Sequence, residues 1–357
     1  MVIIKEDPDM NDQAIGICII GAGGIVNDAH LPAYRMAGFH VKGIVNRNKQ
    51  KAEALAAKFS IPRVYDSLEA MVADQDEQVI YDYALPASET VGVLRQLPDG
   101  AAVLIQKPLG ESIEEARAIR ETAHAKKMLA GVNFQLRFAP FVLEAKKMIS
   151  AGQIGTLTDI EIYVNVYTPW NLWSFLFEKP RMEINYHSVH YIDLIRSFLG
   201  NPAGVYAKTY KHPDSLQLAS VKSTIIMDYG NFIRATIHTN HHHDFGYQHQ
   251  ESYIKIEGTG GAVKMSLGVL INYPHGIPDT FEYITAVPGE VPEWRSKKID
   301  GSWFPHAFIG TMEQMIRAKK GLIEMPENNI DDAFDTMRCV EAAYISSERG
   351  GVLLSSV

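Results

Sequence analysis

The chain of 357 residues is short of several things, and each shortage removes a class of function. It has only two cysteines, Cys18 in an apolar run and Cys339 in a late helical pattern, so no disulfide framework is expected and a reducing cytoplasm suits it. No apolar run approaches the length that spans a bilayer. The first residues, M-V-I-I-K-E-D-P-D-M-N-D, are acidic and carry no long apolar core, so no export leader is expected. Lys and Arg number 34 against 42 Asp and Glu, and the resulting charge of −8 supplies no positive field for nucleic acid or an anionic membrane. Internal repeats, low-complexity tracts and long linkers are also missing. What is present is an apolar fraction of 46%, enough in a chain of this length for two domains, each with its own core.

The stretch A-I-G-I-C-I-I-G-A-G-G-I-V-N-D-A-H at Ala14–His30 organises the rest of the chain. Ile15, Ile17, Cys18, Ile19 and Ile20 form a short apolar run that ends in glycines, the pattern of a strand buried on both faces. Gly21 and Gly23 allow the tight turn and close backbone approach that a pyrophosphate needs, and the next helix offers it N–H groups. Val26 stands at the third position of the G-x-G-x-x-G/A pattern, which loosens helix–strand packing without removing a phosphate site. Glycine-rich joints also serve packing alone, but on the first strand of an alternating chain a dinucleotide site is the favoured reading.

Strand-like and helix-like runs then alternate. A helix from Asp28 is followed by a strand at Phe39–Val45, helices at Lys49–Phe59 and Ser67–Ala73, and a strand at Gln78–Leu85 closed by Pro86. A helix at Thr90–Leu97, a strand at Ala101–Ile105, a helix at Glu111–Lys127 and a strand at Leu129–Phe134 complete the series. This order predicts an α/β fold with a doubly wound parallel sheet. Where dinucleotide folds place an acidic residue on the adenosine ribose, this chain has Asn46, then Arg47, with Lys51 a helical turn further on. A missing carboxylate and added cations lean the site toward NADP over NAD; a solvated helix start is the alternative. Gln106–Lys107–Pro108 sits at the carboxyl end of a strand, the edge outside which open α/β sheets bind ligands. Lys107 there either directs a cation into a cleft or is an exposed surface lysine.

Several of these stretches, in order and spacing, resemble the glucose–fructose oxidoreductase and inositol dehydrogenase family. They are Gly21–His30 running into Leu31–Pro32–Ala33, Ala84–Leu85–Pro86, and Gln106–Lys107–Pro108, where the family usually reads Glu-Lys-Pro. Gly131–Val132–Asn133, Arg137–Phe138–Ala139–Pro140 and Gly152–Gln153–Ile154–Gly155 continue the series. The resemblance implies a Rossmann domain at 1–134 and an α+β domain at 135–357. The second domain would carry a large, mostly antiparallel open sheet serving substrate binding and dimer or tetramer contacts. The resemblance also implies cofactor contacts from Gly21, Gly23, Gly24, Ile25, Asn46, Arg47, Leu85, Pro86, Gln106, Lys107 and Asn133. The implied reaction is hydride exchange between a nicotinamide and a sugar, polyol, inositol or sugar-derived lactone.

In the second half a helix at Phe141–Ser150 precedes strand-like runs at Leu157–Tyr167, Gly204–Tyr210, Ala219–Met227, Asn231–Thr239, Ser252–Glu257 and Gly261–Ser266. Consecutive strands predict a largely antiparallel sheet, closed by helices at Phe308–Lys319 and Asp331–Ser347. The chemically dense run is E-I-N-Y-H-S-V-H-Y-I-D-L-I-R-S-F-L-G at Glu183–Gly200. His187, His190, Leu194 and Phe198 recur at helical spacing, which puts both histidines on one face near the positive end of the helix. Neutral imidazole is favoured there, as a general base near neutral pH requires. A packed core histidine above Leu194 is the other reading of the residues alone.

Against the family's Asp-x-Gly-x-His-x-x-Asp motif, His190 and Asp193 match the His-x-x-Asp end, which implies His190 as the proton-transferring residue. Tyr186 and Ser188 fall on the motif's aspartate and glycine. Tyr186, with His187 and Asn185, would then orient substrate hydroxyls in place of a carboxylate, while Lys107 stabilises charge on the reacting oxygen. Trp170 and Trp173 are expected as exposed rings that stack on the apolar face of a sugar, with core packing as the alternative. His241–His242–His243–Asp244, with His249 nearby, puts His241 and His243 on one strand face; polar loop residues are the favoured reading, and no metal is expected. The departures at Tyr186 and Ser188 leave two alternatives: glycosidic cleavage through transient oxidation by a tightly held nicotinamide, and non-catalytic nucleotide binding.

Overall fold

The structure is a computed structural model that describes residues 15–75, 78–286, 289 and 291–351. The N-terminal residues behind the leader expectation, and Ala14 at the start of the glycine stretch, lie outside the described residues. The chain divides into two compact units. One runs to Ala139 and includes Trp303–Met337; the other takes Pro140–Ser302 and the chain from Arg338.

In the first unit the alternating pattern becomes β1 (Gly16–Ile20), α1 (Leu31–Ala37), β2 (Val41–Val45), α2 (Lys49–Phe59), β3 (Arg63–Tyr65) and α3 (Leu68–Ala73). It continues with β4 (Val79–Tyr83), α4 (Thr90–Gln96), β5 (Ala102–Ile105), α5 (Ile113–Ala125) and β6 (Leu129–Val132). The sheet order is β3-β2-β1-β4-β5-β6 with every pair parallel, and β1, β4 and β5 are buried along their whole length. Their unbroken apolar character follows from having helices on both faces. Helix starts are set by caps: Asn48, Ser67 and Ser112 accept the N–H groups of Lys51, Ala70 and Glu115. The cap at Ser112 is why α5 opens at Ile113 and not at Glu111. Strand order reverses between β1 and β4, so their carboxyl ends diverge and leave a crevice.

The sequence reading ends the first domain at 134 and assigns 303–337 to the second, whereas the structure groups those residues with the first unit. Phe308, Met312, Met315 and Ile316 of the helix Ala307–Lys319 are buried in one core with Ile17, Ile19, Ile80 and Leu104. Arg137, 2% exposed, ion-pairs with Asp332 and donates to Glu327 O at 3.2 Å, which ties the end of the early segment to the late one. Periodicity shows that a helix has a buried face, but not which core receives it.

The second unit contains α6 (Pro140–Ser150), β7 (Leu157–Asn165), α7 (Val189–Leu199), β8 (Gly204–Tyr210), β9 (Lys222–Asp228) and β10 (Arg234–Asn240). It continues with β11 (Glu251–Gly258), β12 (Gly261–Ser266), β13 (Phe281–Thr285) and β14 (Arg295–Ser296). The sheet runs β14-β13-β12-β11-β7-β10-β9-β8, antiparallel except for the parallel pair β7 and β10. Strands β13 and β14 have no counterpart in the sequence reading: β13 follows a loop rich in Gly and Pro, and β14 is a two-residue edge. Alternate residues such as Ile160, Ile162, Ala235, Ile237, Ile254 and Ile256 face the core. No helix among the described residues is long and apolar enough to cross a membrane.

Gly155 marks a close crossing at the tip of the β11–β12 hairpin. Its φ is +73°, and a Cβ there would lie 2.5 Å from Thr259 Oγ1 and 2.7 Å from Gly260 N. Gly155→Ala is expected to destabilise the protein by more than about 1 kcal/mol, read as a lower Tm in thermal unfolding. An unchanged Tm would show the crossing to be loose.

Candidate active site

The first unit carries one set of candidate residues at the sheet's switch point. Gly21 leaves β1 with φ +121°, and a Cβ there would sit 2.6 Å from Ala84 O and 3.2 Å from Leu85 Cδ2. Only glycine lets the turn pass so close to the end of β4. Gly21 N–H donates to Val45 O at 2.8 Å and Ala84 N–H to Ile20 O at 2.9 Å, tying together the ends of β1, β2 and β4. Gly23 and Gly24 are exposed, and no atom lies within 4 Å of where a Gly23 Cβ would be. That open, side-chain-free surface at a helix start fits a pyrophosphate. A π turn, Val26–His30, precedes α1, and it begins at the residue in the third glycine position. Val26 is fully buried, so the wider turn accommodates a side chain where glycine would let the helix lie against the strand.

Asn46 Oδ1 accepts the Ala22 N–H at 3.1 Å and its amide donates to Asn48 O at 2.9 Å, so this side chain braces the glycine turn. Arg47 is exposed and pairs with Glu89 at 2.7 Å. Leu85 is half-buried and Pro86 exposed, with Pro86 O accepting the Tyr83 hydroxyl at 2.8 Å. Gln106 and Asn133 turn inward: Gln106 Nε2 and Asn133 Nδ2 lie 3.1 Å and 3.3 Å from His30 Nε2. Lys107 N–H donates to Gln106 Oε1 at 2.8 Å.

The Lys107 side chain is half-buried, and burial pushes its ammonium down to about 8 from an ordinary 10.5. Below that value both folded and unfolded chains are protonated, and the folded chain bears the full cost of the buried charge. Between it and the ordinary value the unfolded chain keeps the proton that the folded chain has given up, so stability rises with pH. Lys107→Met is therefore expected to raise stability at neutral pH by about 1–3 kcal/mol, with the gain shrinking as the pH approaches the unfolded value. Thermal melts of both proteins across that range check it; a gain independent of pH would show that the lysine carries no such cost.

The second unit carries a separate set of candidate residues around a second π turn, Ile184–Ser188, which leads into α7. This inserted turn breaks the regular helical phase on which the shared face of His187 and His190 was reckoned. His190 is 5% exposed, while His187 is half-buried with its ring 5.0 Å from Trp170 and 4.5 Å from His241. Tyr186 is half-buried, meets Phe175 edge-on at 5.8 Å, and packs on the cluster of Trp170, Leu176, Met182, Leu218 and Val221. Asn185 is buried and its N–H donates to Tyr344 Oη at 3.3 Å. Trp170 is 5% exposed, so it is a packed core ring and not the exposed stacking platform expected for it. Trp173 is half-buried, 5.5 Å from the Tyr273 ring.

Among the buried carboxylates that escaped the sequence reading are Glu183 and Asp82. Glu183 accepts the Ser188 hydroxyl at 2.7 Å and faces His241 Nε2 at 3.5 Å, while His241 Nδ1 meets Thr168 Oγ1 at 3.0 Å. Burial raises the Glu183 carboxyl, but the hydrogen bond and charge of His241, with Ser223 and Ser188, hold it below the ordinary value. Asp82 lies wholly buried within β4 beside His30. Its signal was legible, since a charged residue inside V-I-Y-D-Y must find a partner; Glu183, at a helix start, gave no such signal. His241 thus belongs to a buried polar cluster. Among the described residues, the group with metal-ligand proximity is His212, Asp214 and His242, the two rings stacked at 3.8 Å and all ligand atoms within 4.8 Å of one another.

Known proteins resemble this chain in sequence and in fold. The oxidoreductase family with an NAD-binding Rossmann fold matches residues 15–134, and the GFO/IDH/MocA C-terminal domain matches residues 142–264. The chain is 24% identical to 1,5-anhydro-D-fructose reductase of Ensifer adhaerens over 251 residues, covering 69% of this chain and 74% of that one. It is 22% identical to D-xylose 1-dehydrogenase (NADP(+)) 2 of Haloferax volcanii over 341 residues, 94% and 98% of the two chains. An oxidoreductase from Agrobacterium radiobacter, solved with NAD+, L-tartaric acid and magnesium, has the same fold, with a TM-score of 0.78 at 19% identity over 95% of this chain and 97% of that one.

Proposed function

The chain belongs to the GFO/IDH/MocA oxidoreductase family, and on that premise we propose that it exchanges a hydride between a nicotinamide cofactor and a carbon of a sugar or polyol. The observation that carries this reading is a half-buried lysine of lowered proton affinity beyond the carboxyl end of β5, in the unit whose glycine turn fits a pyrophosphate. The names of the two sugar-acting relatives support the substrate class. Gly21, Gly23, Gly24 and Ile25 would hold the pyrophosphate, Asn46 and Arg47 the adenosine ribose, and Leu85 and Pro86 would border the same crevice. Bound there, the nicotinamide supplies the hydride donor or acceptor. His190 takes or returns the matching proton, and Lys107 hydrogen-bonds the reacting oxygen and stabilises its developing negative charge. Asn185, Tyr186 and His187 orient neighbouring hydroxyls, with Trp173 as the remaining stacking candidate. Cys18 and Cys339 are buried and form no disulfide, which suits a reducing cytoplasm, and exposed Tyr206, Ile226 and Phe232 support association of copies through the open sheet.

Lys107→Met and His190→Ala are each expected to lower kcat on a sugar or polyol substrate by about 100-fold or more, with cofactor Kd changed little. Steady-state kinetics and cofactor titration, run separately, check this, and near-normal turnover in either variant removes the role assigned to it.

Of the two cofactor forms we favour NADP. The Arg47–Glu89 pair is exposed and weak, so a 2′-phosphate can displace Glu89 from the guanidinium. Arg47→Ala is expected to weaken NADP binding by about tenfold and to leave NAD binding near its starting value. Equal losses for both forms would assign Arg47 no part in the choice.

A further inference from the structure

His30 closes the π turn that follows the glycine stretch and is fully buried. Its Nδ1 lies 2.7 Å from Asp82 Oδ2, which also accepts the Tyr34 hydroxyl at 2.9 Å. Burial and the Asp82 charge hold the Tyr34 phenol well above its ordinary value, so it keeps the proton it donates. On the other side of the ring, His30 Nε2 faces the amide nitrogens of Gln106 and Asn133.

The orientation of those amides follows from their partners. Gln106 Oε1 accepts the Lys107 N–H at 2.8 Å, and Asn133 Oδ1 accepts the Thr311 hydroxyl at 2.9 Å. The Lys107 N–H can only donate, so it fixes the Gln106 oxygen and leaves that NH2 turned to the imidazole, where Asn133 Nδ2 also faces. An amide NH2 only donates, so His30 Nε2 accepts and carries no proton. The single ring proton is then on Nδ1, donated to Asp82. One imidazole thereby joins the glycine-turn segment, β4, the segments after β5 and β6, and the helix Ala307–Lys319.

We propose that His30 is a positioning residue for Lys107: held as its Nδ1–H tautomer by Asp82, it orders the Gln106 side chain that fixes the Lys107 backbone. The inference rests on the catalytic role proposed for Lys107. It makes Gln106 an obligatory donor. A glutamate there sets an acceptor against an acceptor, a conflict that only a second proton on His30 resolves, leaving an imidazolium between two carboxylates. A methionine there keeps the bulk and cuts the link.

The test uses the full chain with 15N-labelled histidine, the His30 signals being identified by their loss in His30→Gln. Long-range 1H–15N spectra at neutral pH are expected to show His30 protonated at Nδ1 and bare at Nε2, and Gln106→Glu to show both nitrogens protonated. Gln106→Met is expected to lower kcat by about tenfold or more with cofactor Kd within about twofold, and to move the Lys107 amide resonance. A wild-type His30 protonated at Nε2, or a Gln106→Met enzyme with wild-type kcat and an unmoved Lys107 amide, overturns the inference. Normal turnover in Lys107→Met would instead strike the catalytic reading, while the tautomer is read without any turnover.

Discussion

The first unit depends on a single close approach, the glycine turn after β1 against the Ala84 carbonyl at the end of β4. Strand order reverses there, so the two chain ends must separate while their backbones remain in contact. A side chain at Gly21 would force them apart, and the hydrogen bonds that tie Ile20, Val45 and Ala84 into one edge could not all form. The same turn has two sides. Outward it offers the bare backbone of Gly23 and Gly24; inward it delivers His30 to a buried polar network. The candidate cofactor surface and the support of Lys107 are therefore consequences of one constraint.

Much of this was legible from residue pattern. The bounds of α2, β8 and β12 are as the sequence reading set them, because caps, turn glycines and strict alternation fall at their ends. The order of strands and helices in the first unit follows from the same signals. What was not legible has physical reasons. A π turn adds a residue to a helical repeat, and spacing rules that assume a regular repeat cannot show it at Val26–His30 or Ile184–Ser188. Trp170 follows a strand in an irregular segment, where pattern suggests exposure, yet His187 and His241 close over it. The helix Ala307–Lys319 displays an apolar face, but its receiving core is assembled from residues almost 300 positions earlier, such as Ile17 and Ile19.

Both units place a carboxylate and a histidine, fully buried, at a π turn: Asp82 with His30, and Glu183 with His241. A buried ion is costly unless its lone pairs are met, and such pairs are poor sources of net stability. Their value lies in direction, since each bond is satisfied in only one arrangement. In the second unit Ser188, Ser223 and Thr239 extend the Glu183 cluster across to β9 and β10, so the segment bearing Tyr186 and His187 is registered to the sheet by polar contacts as well as by packing. Apolar packing alone tolerates small shifts that chemistry at a hydroxyl does not.

The departure from Glu-Lys-Pro to Gln106–Lys107–Pro108 fits this logic. Burial accounts for the lowered proton affinity of Lys107, and a carboxylate on the preceding residue would oppose it by offering the ammonium a counter-charge. An amide meets the Lys107 N–H just as a carboxylate would, but adds no charge. Its NH2 group then demands an acceptor, and His30 supplies one only because Asp82 takes the proton on the far side of the ring. Lys107 is thus held in place through a chain of hydrogen bonds whose one negative charge is kept a full imidazole away, which preserves its position without setting a counter-charge beside its ammonium.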